Sequence, residues 1–136
     1  MYYLSNGQKL GIFDTREEYW NLIKSAKVSI YTTSGMDDDK ATGSAFHQVT
    51  PRFLELLASG CHVICRYENN SDTDYYELEK FSRSVEDYIE FEKQMDYYLS
   101  HEIDLNKYIK YLNKHYTSVR VAQLDDIINK ISLVSR

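Results

Sequence analysis

Residue types that carry specialised structure are scarce in this 136-residue chain, which has one proline, one tryptophan, two cysteines and five glycines. So few prolines and glycines leave no flexible linker that would divide the chain, and no repeat of about 20–50 residues occurs. Cys61 and Cys65 do not have the spacing of a redox or zinc motif, and a lone pair of cysteines defines no metal cage. We predict that both are buried, reduced thiols.

Long apolar runs and basic clusters are also missing. The uncharged apolar runs are far shorter than the roughly 20 residues that span a membrane. The N-terminal residues lack the basic start, apolar stretch and cleavage site of a signal peptide, so we expect a cytoplasmic protein, with a peripheral position at the inner membrane face as an alternative. The net charge is −5, and the lysines of the second half alternate with acids, which argues against a nucleic-acid partner.

What is present is a globular composition, 43% hydrophobic and 27% charged, in which strand and helix patterns alternate. The patterns predict strands at residues 9–13, 28–33, 62–67 and 82–85, with helices from residue 15 to 26, 50 to 59 and 72 to 81. Only helices follow, the first starting at Asp87. This order predicts an α/β fold: a partial Rossmann-like parallel sheet of about 3–4 strands flanked by helices, with an all-helical C-terminal tail.

The three C-terminal helices each have an apolar face in the sequence pattern. The predicted faces are Tyr88, Phe91, Met95, Tyr98 and Leu99; then Leu105, Tyr108, Ile109 and Leu112; then Val121, Leu124, Ile128 and Ile131.

Residues 50–67, TPRFLELLASGCHVICRY, read as a helix followed by a strand. They resemble the E-A-x-A-x-G-x-P-V-I segment in the C-terminal domain of retaining, group 1-like GT-B glycosyltransferases. The T-P-R-x-x-E start resembles that of capsule and surface-polysaccharide enzymes. Less specific similarity extends over nearly the whole chain. The resemblance implies that residues 1–86 are the second half of a Rossmann-like nucleotide-sugar-binding domain, and that residues 87–136 are helices packing on it.

The helix that begins at Thr50 has physical properties suited to a nucleotide. Thr50 as N-cap and Pro51 as first helical residue place free amides and a partial positive charge where an anionic diphosphate could bind. Glu55 lies about one turn further along, where its carboxylate could accept both hydroxyls of a ribose. Ligands of open α/β sheets bind at the carboxyl ends of the strands, where Ser34 and Gly35 should meet this helix.

Other candidates are weaker or depart from the family pattern. Arg52 is a candidate contact for phosphate or for a partner acid. The family has a glutamate eight positions before the ribose-binding one, and His47 stands there instead; it could bind the donor sugar or be an exposed loop residue. His62 replaces the family proline. The three aspartates at residues 37–39 suggest a solvated loop rather than a divalent-ion site, and the resemblance implies neither a cofactor nor a bound metal.

The resemblance implies a bacterial transferase that moves a sugar from a nucleotide-sugar donor to a glycan or lipid-linked acceptor, this chain contacting the donor. No residue can be assigned as catalytic, and the identities of the donor and acceptor stay open. The chain contains neither an acceptor domain nor a glycine-rich phosphate turn, so we expect a fragment that is inactive alone and forms a homodimer through an uncovered sheet edge. The alternative is a non-catalytic α/β module that binds a nucleotide or sugar or docks onto a protein. A receiver-like signalling domain is disfavoured because the third strand has no aspartate at its end.

Overall fold

The fold begins with a short hairpin and continues as alternating helices and strands. The computed structural model describes residues 2–3, 6, 9–10, 15–36 and 47–134. Strands β1 (Tyr2–Tyr3) and β2 (Lys9–Leu10) pair antiparallel. They are followed by helix α1 (Arg16–Ser25), strand β3 (Val28–Thr32), helix α2 (Arg52–Ala58) and strand β4 (His62–Arg66).

The remainder of the described chain is helical. It contains α3 (Ser71–Tyr75), a 3-10 turn (Leu78–Lys80), α4 (Tyr88–Ser100), α5 (Leu105–Leu112), a second 3-10 turn (Asn113–His115) and α6 (Thr117–Val134). No described helix is both long and apolar enough to cross a membrane.

The central sheet is parallel, which confirms the predicted α/β class with flanking helices and a helical C-terminus. Strands β3 and β4 pair in register from Val28 opposite His62 to Thr32 opposite Arg66. The brief strand predicted at residues 82–85 is reduced to a parallel bridge between Ser84 and Cys65. The strand predicted at residues 9–13 contains β2, which pairs with β1; residues 11–13 lie outside the described part of the chain.

Local capping residues explain where several helices start and stop. The Thr15 hydroxyl accepts the Glu18 amide at 3.2 Å and the Asp87 carboxylate accepts the Glu90 amide at 2.9 Å, which confirms both predicted starts. Gly60 follows α2 with φ +73°, the left-handed conformation that glycine adopts without strain. The single helix predicted at residues 72–81 is wrong, because Glu77 takes a left-handed conformation (φ +52°) that separates α3 from the 3-10 turn.

The core on one face of the sheet is largely aromatic. The Phe53 ring of α2 lies 5.3 Å from Tyr31, 5.8 Å from Phe81 and 6.4 Å from Tyr111 of α5, measured between ring centroids. Side chains alternate across a strand, so β4 presents Cys65 to this face and His62 to the other, where His62 stacks on Tyr98 of α4 at 4.5 Å.

Both cysteines are free and buried, which confirms that prediction.

The apolar faces predicted for the C-terminal helices are partly covered in α4 and α5 and exposed in α6. The four residues predicted for α6 are between 52% and 61% exposed, and α4 has no buried residue. In α5 the buried pair is Tyr108 and Tyr111, whereas Leu105 and Ile109 are exposed. Helical periodicity identifies an apolar stripe correctly, but it does not say whether another element covers that stripe.

Candidate functional site

Hydrogen bonds connect the carboxyl end of β3 both to the end of β4 and to the segment that precedes helix α2. The Thr33 amide donates to the Arg66 carbonyl and the Ser34 amide donates to the Gln48 carbonyl, both at 3.3 Å. Gly35 has φ +76°, which a residue with a side chain would adopt only with strain. The chain therefore turns sharply after β3 and brings Ser34 beside the residues that precede α2.

His47 is buried at this edge of the sheet and contacts Ser34 and Glu68. Its side chain is 5% exposed, and its Nδ1 atom lies 3.1 Å from the Ser34 carbonyl oxygen. A carbonyl only accepts, so Nδ1 carries the proton in this bond. Nε2 lies 3.5 Å from a carboxylate oxygen of Glu68, and the His47 carbonyl accepts from the side-chain Nδ2 of Asn70 at 3.1 Å. The predicted residues Ser34 and His47 are thus in direct contact, and His47 is not an exposed loop residue.

Helix α2 starts differently from the prediction. The N-cap position is Pro51 (φ −53°, ψ −22°), no side chain caps it, and the first helical residue is Arg52. Thr50 lies outside the helix and donates its amide to the Tyr31 hydroxyl at 2.8 Å. The prediction that the Thr50 side chain caps α2 is wrong, because proline already has helical torsion angles and Tyr31 holds the backbone of Thr50.

Glu55 is bound by helix α1. One carboxylate oxygen accepts from Arg16 Nη2 at 2.9 Å, and the other accepts from the Tyr19 hydroxyl at 3.3 Å. The Arg52 guanidinium lies 5.4 Å from the centre of the Tyr19 ring. Burial raises the pKa of Tyr19, and Glu55 adds to this rise while Arg52 opposes it. Arg16, Tyr19, Arg52 and Glu55 therefore form one cluster between the two helices.

This cluster combines two cations with a carboxylate that solvent can reach. The Glu55 side chain is 24% exposed and that of Arg16 is 74% exposed. Ion pairs at such exposed positions are worth about 0–1 kcal/mol. A ligand could therefore displace Arg16 from Glu55 at little cost.

Thr33, the residue that follows β3, has a buried hydroxyl group. It is 2% exposed, and among the described residues its hydroxyl has no hydrogen-bond partner. Buried hydroxyl groups normally have one, so this group needs an explanation. A ligand at the strand ends is one way to satisfy it.

A cleft of about 280 Å³ opens beyond the end of β4, but its chemistry does not suit a diphosphate. Its described lining includes three carboxylates, Asp74, Glu77 and Glu79, with Lys80, and it includes none of the predicted site residues. Like charges at this density would repel a phosphate. We therefore place the candidate site at the predicted residues.

Sequence reasoning missed several residues around the predicted ones. Arg16 and Tyr19 contact Glu55 from 39 and 36 positions away, and no local pattern indicates such a pairing. Glu68 and Asn70 could have been found, because they follow β4 at the edge where ligands of α/β sheets bind. The three aspartates at residues 37–39 lie outside the described part of the chain.

An α/β fold whose polar residues converge at the carboxyl ends of parallel strands defines a broad class of ligand-binding proteins. Residues 7–126 match the model of a family described as glycosyl transferase-like. The match covers most of the chain, so the protein belongs to this family, as its resemblance to group 1-like enzymes predicted. No curated protein and no solved structure matches the chain. Family membership indicates glycosyl transfer in general.

Proposed function

We propose that this chain forms the donor side of a glycosyltransferase. In this proposal a nucleotide sugar binds at the carboxyl ends of β3 and β4, and its sugar passes to a glycan or lipid-linked acceptor held by another domain. The observation that carries the proposal is the position of Glu55, a partly exposed carboxylate between Arg16 and Arg52 in a chain of the glycosyl transferase-like family.

Each group in the cluster has a proposed role that its chemistry supports. Glu55 accepts hydrogen bonds from the two ribose hydroxyls, one to each carboxylate oxygen. Arg16 leaves Glu55 and binds the diphosphate, for which a planar guanidinium is well suited. Arg52 adds positive charge at the start of α2, directly after Thr50 and Pro51.

The sugar is proposed to bind near the ends of the strands. The Thr33 hydroxyl, which has no partner among the described residues, and the turn at Ser34 and Gly35 supply polar groups there. His47 supports this turn, and its Nε2 faces Glu68, whose side chain is 63% exposed. Glu68 is therefore our candidate for the carboxylate that the family pattern has at position 47.

Calorimetric titration with UDP, GDP, CMP and their sugar conjugates tests the donor site. We expect one nucleotide to bind the wild-type chain and to bind Glu55→Gln at least about tenfold more weakly, which corresponds to about 1.4 kcal/mol. Glu17→Gln is the matched control, because it makes the same chemical change at an exposed residue of α1. It should bind like the wild type.

The contacts of Glu55 also support a second interpretation, in which the carboxylate has only the structural role of connecting α1 to α2. The chain would then be a non-catalytic binding or docking module. In that case Glu55→Gln and Arg16→Ala would lower the melting temperature similarly, and Glu55→Gln would match Glu17→Gln in nucleotide affinity. The absence of nucleotide binding by the folded wild-type chain would remove the donor-site proposal. Binding without sugar transfer, once an acceptor domain is supplied, would favour the binding module.

We also propose that the outer edge of β3 pairs with another strand, in a second copy of the chain or in a further domain. The support is that β3 pairs only with β4 among the described residues, which leaves its other edge without a strand there, and that Ile30 of β3 is 59% exposed. Sedimentation velocity should show concentration-dependent dimers that Ile30→Lys abolishes. A chain that stays monomeric at all concentrations would contradict pairing between copies.

A further inference from the structure

Lysines from two separate segments converge on one cleft of about 240 Å³. Lys107, Lys110 and Lys114 follow one another on and just after α5 at spacings of three and four, which places them on the same helical face. Lys80 joins them from the first 3-10 turn. The described lining is Glu77, Lys80, Lys107, Lys110, Tyr111 and Lys114.

The cleft has an excess of positive charge that its own residues do not neutralise. Four ammonium groups face one carboxylate, which leaves three positive charges in excess, whereas the whole chain has a net charge of −5. Glu77 contacts two of the ammonium groups: Lys80 Nζ at 2.5 Å and Lys114 Nζ at 3.5 Å. Lys107 donates to the Lys80 carbonyl, which carries no full charge.

Glu77 supports the arrangement of these lysines at a cost to the backbone. Its left-handed conformation (φ +52°, ψ 39°) is unfavourable for a residue other than glycine. Its carboxylate nevertheless joins lysines from two segments that are 34 positions apart in the sequence, Lys80 and Lys114. The hydrogen bond from Lys80 is the main cause that lowers the pKa of Glu77, which keeps the carboxylate ionised.

We propose that this cleft binds a phosphate group of a second ligand, separate from the proposed donor site. An ammonium group is a compact charge with three donors and is a common phosphate ligand. The Tyr111 hydroxyl is already bonded to the Tyr76 carbonyl at 2.6 Å, so the lysines provide the binding. The phosphate could come from a soluble phosphate ester or from a lipid headgroup.

The geometry of α5 favours a soluble source. The exposed apolar residues Leu105 and Ile109 project from the helix well away from the face that carries Lys110 and Lys114, about 100° or more around the axis. A helix binds a membrane surface best when its lysines border its apolar face. The proposed cleft shares no residue with the cluster of Arg16, Arg52 and Glu55, so the two sites can be tested independently.

Titration of the full chain with inorganic pyrophosphate at low salt tests the cleft. We expect the double charge reversal Lys110→Glu/Lys114→Glu to weaken binding at least about tenfold. Lys93→Glu/Lys130→Glu makes the same change in net charge on α4 and α6, and we expect affinity within about twofold of the wild type. Arg52→Ala should keep pyrophosphate binding at the lysine cleft; any weaker binding that it removes belongs to the proposed donor site, whose arginines also contact a diphosphate in our proposal. Circular dichroism would establish that each variant is folded.

A flotation assay distinguishes the two sources of phosphate. The phosphate belongs to a lipid headgroup if the wild-type chain binds phosphatidylglycerol vesicles but not phosphatidylcholine vesicles. The Lys110→Glu/Lys114→Glu variant should then bind neither kind of vesicle. Binding of pyrophosphate that is lost only in the site variant assigns a soluble phosphate. Three results would overturn the proposal: equal losses in the two double variants, loss of pyrophosphate binding in Arg52→Ala instead, or no binding of either probe by the wild type.

Discussion

Replacing Phe53 with alanine should destabilise the fold severely. Phe53 is 0% exposed and its ring contacts Tyr31 of β3, Phe81 after the first 3-10 turn and Tyr111 of α5. Removing the ring loses about 1.5–3 kcal/mol of transfer free energy, and the cavity that remains adds to this loss. We expect the free energy of unfolding to fall by about 3–5 kcal/mol, a large part of the roughly 5–15 kcal/mol that stabilises a domain.

Urea denaturation measures this loss if far-UV circular dichroism and tryptophan fluorescence give coincident transitions. Phe53→Leu fills much of the cavity and should cost less than Phe53→Ala. Ile109→Ala is the control, because Ile109 is 55% exposed on α5. Its loss should be within about 0.5–1 kcal/mol. A loss for Phe53→Ala no larger than that of Ile109→Ala would refute the position of Phe53 at the centre of the core.

Two further predictions concern groups that titrate. Burial raises the pKa of the Cys65 thiol to about 12, and the Cys61 thiol donates to the carbonyls of Ile23 and Ala26 at 3.2 Å. Both thiols should therefore react with a disulfide reagent only as fast as the chain unfolds, and immediate labelling of the native protein would contradict their burial. Burial, with a smaller contribution from Arg120, lowers the pKa of His115 below its usual value of about 6.5. The unfolded chain therefore binds a proton on His115 more readily than the folded chain does. The stability that His115 contributes is complete above about pH 6.5 and is lost as the pH falls through the folded-state pKa. Urea titrations between pH 5 and 8 should show a shallower decline for His115→Gln than for the wild type, and parallel declines would refute this assignment.

Local signals were sufficient for much of the fold. The caps at Thr15 and Asp87 and the glycine at position 60 each act within a few residues of the helix end that they determine. The alternation of strands and helices was sufficient for the parallel sheet, because a crossover helix between consecutive strands brings them side by side in the same direction. The division into residues 1–86 and 87–136 stays a prediction.

Features that depend on distant contacts could not be predicted. Tyr31 holds Thr50 from 19 positions away, which moves the start of α2 by one residue from the capping prediction. Lys107, Lys110 and Lys114 form a local pattern, but Lys80 joins them only in the folded chain, where Glu77 contacts both Lys80 and Lys114. The apolar stripe of α6 is a local pattern, but its exposure depends on what packs beside it.

The candidate site stays a prediction, but one of its expected juxtapositions is present. The rule that ligands bind at the carboxyl ends of parallel strands predicted Ser34 and Gly35 beside the start of α2, and the Ser34 amide donates to the Gln48 carbonyl shortly before that start. The same rule says nothing about Arg16, which precedes β3 by a whole helix and reaches Glu55 from the side. A functional carboxylate and a structural one would have the same sequence pattern here, so only binding measurements can separate them.

The departure of His47 from the family pattern is consistent with its surroundings. A carboxylate at this buried position would face the Ser34 carbonyl, and two acceptors cannot hydrogen-bond to each other. The imidazole instead donates Nδ1–H to that carbonyl and turns Nε2 toward Glu68. The Glu68 side chain is 63% exposed, so its charge stays in water and avoids the cost of burial. If a carboxylate contacts the donor sugar in this protein, Glu68 can therefore provide it without an unpaired buried charge, whereas His47 serves to hold the strand end in place.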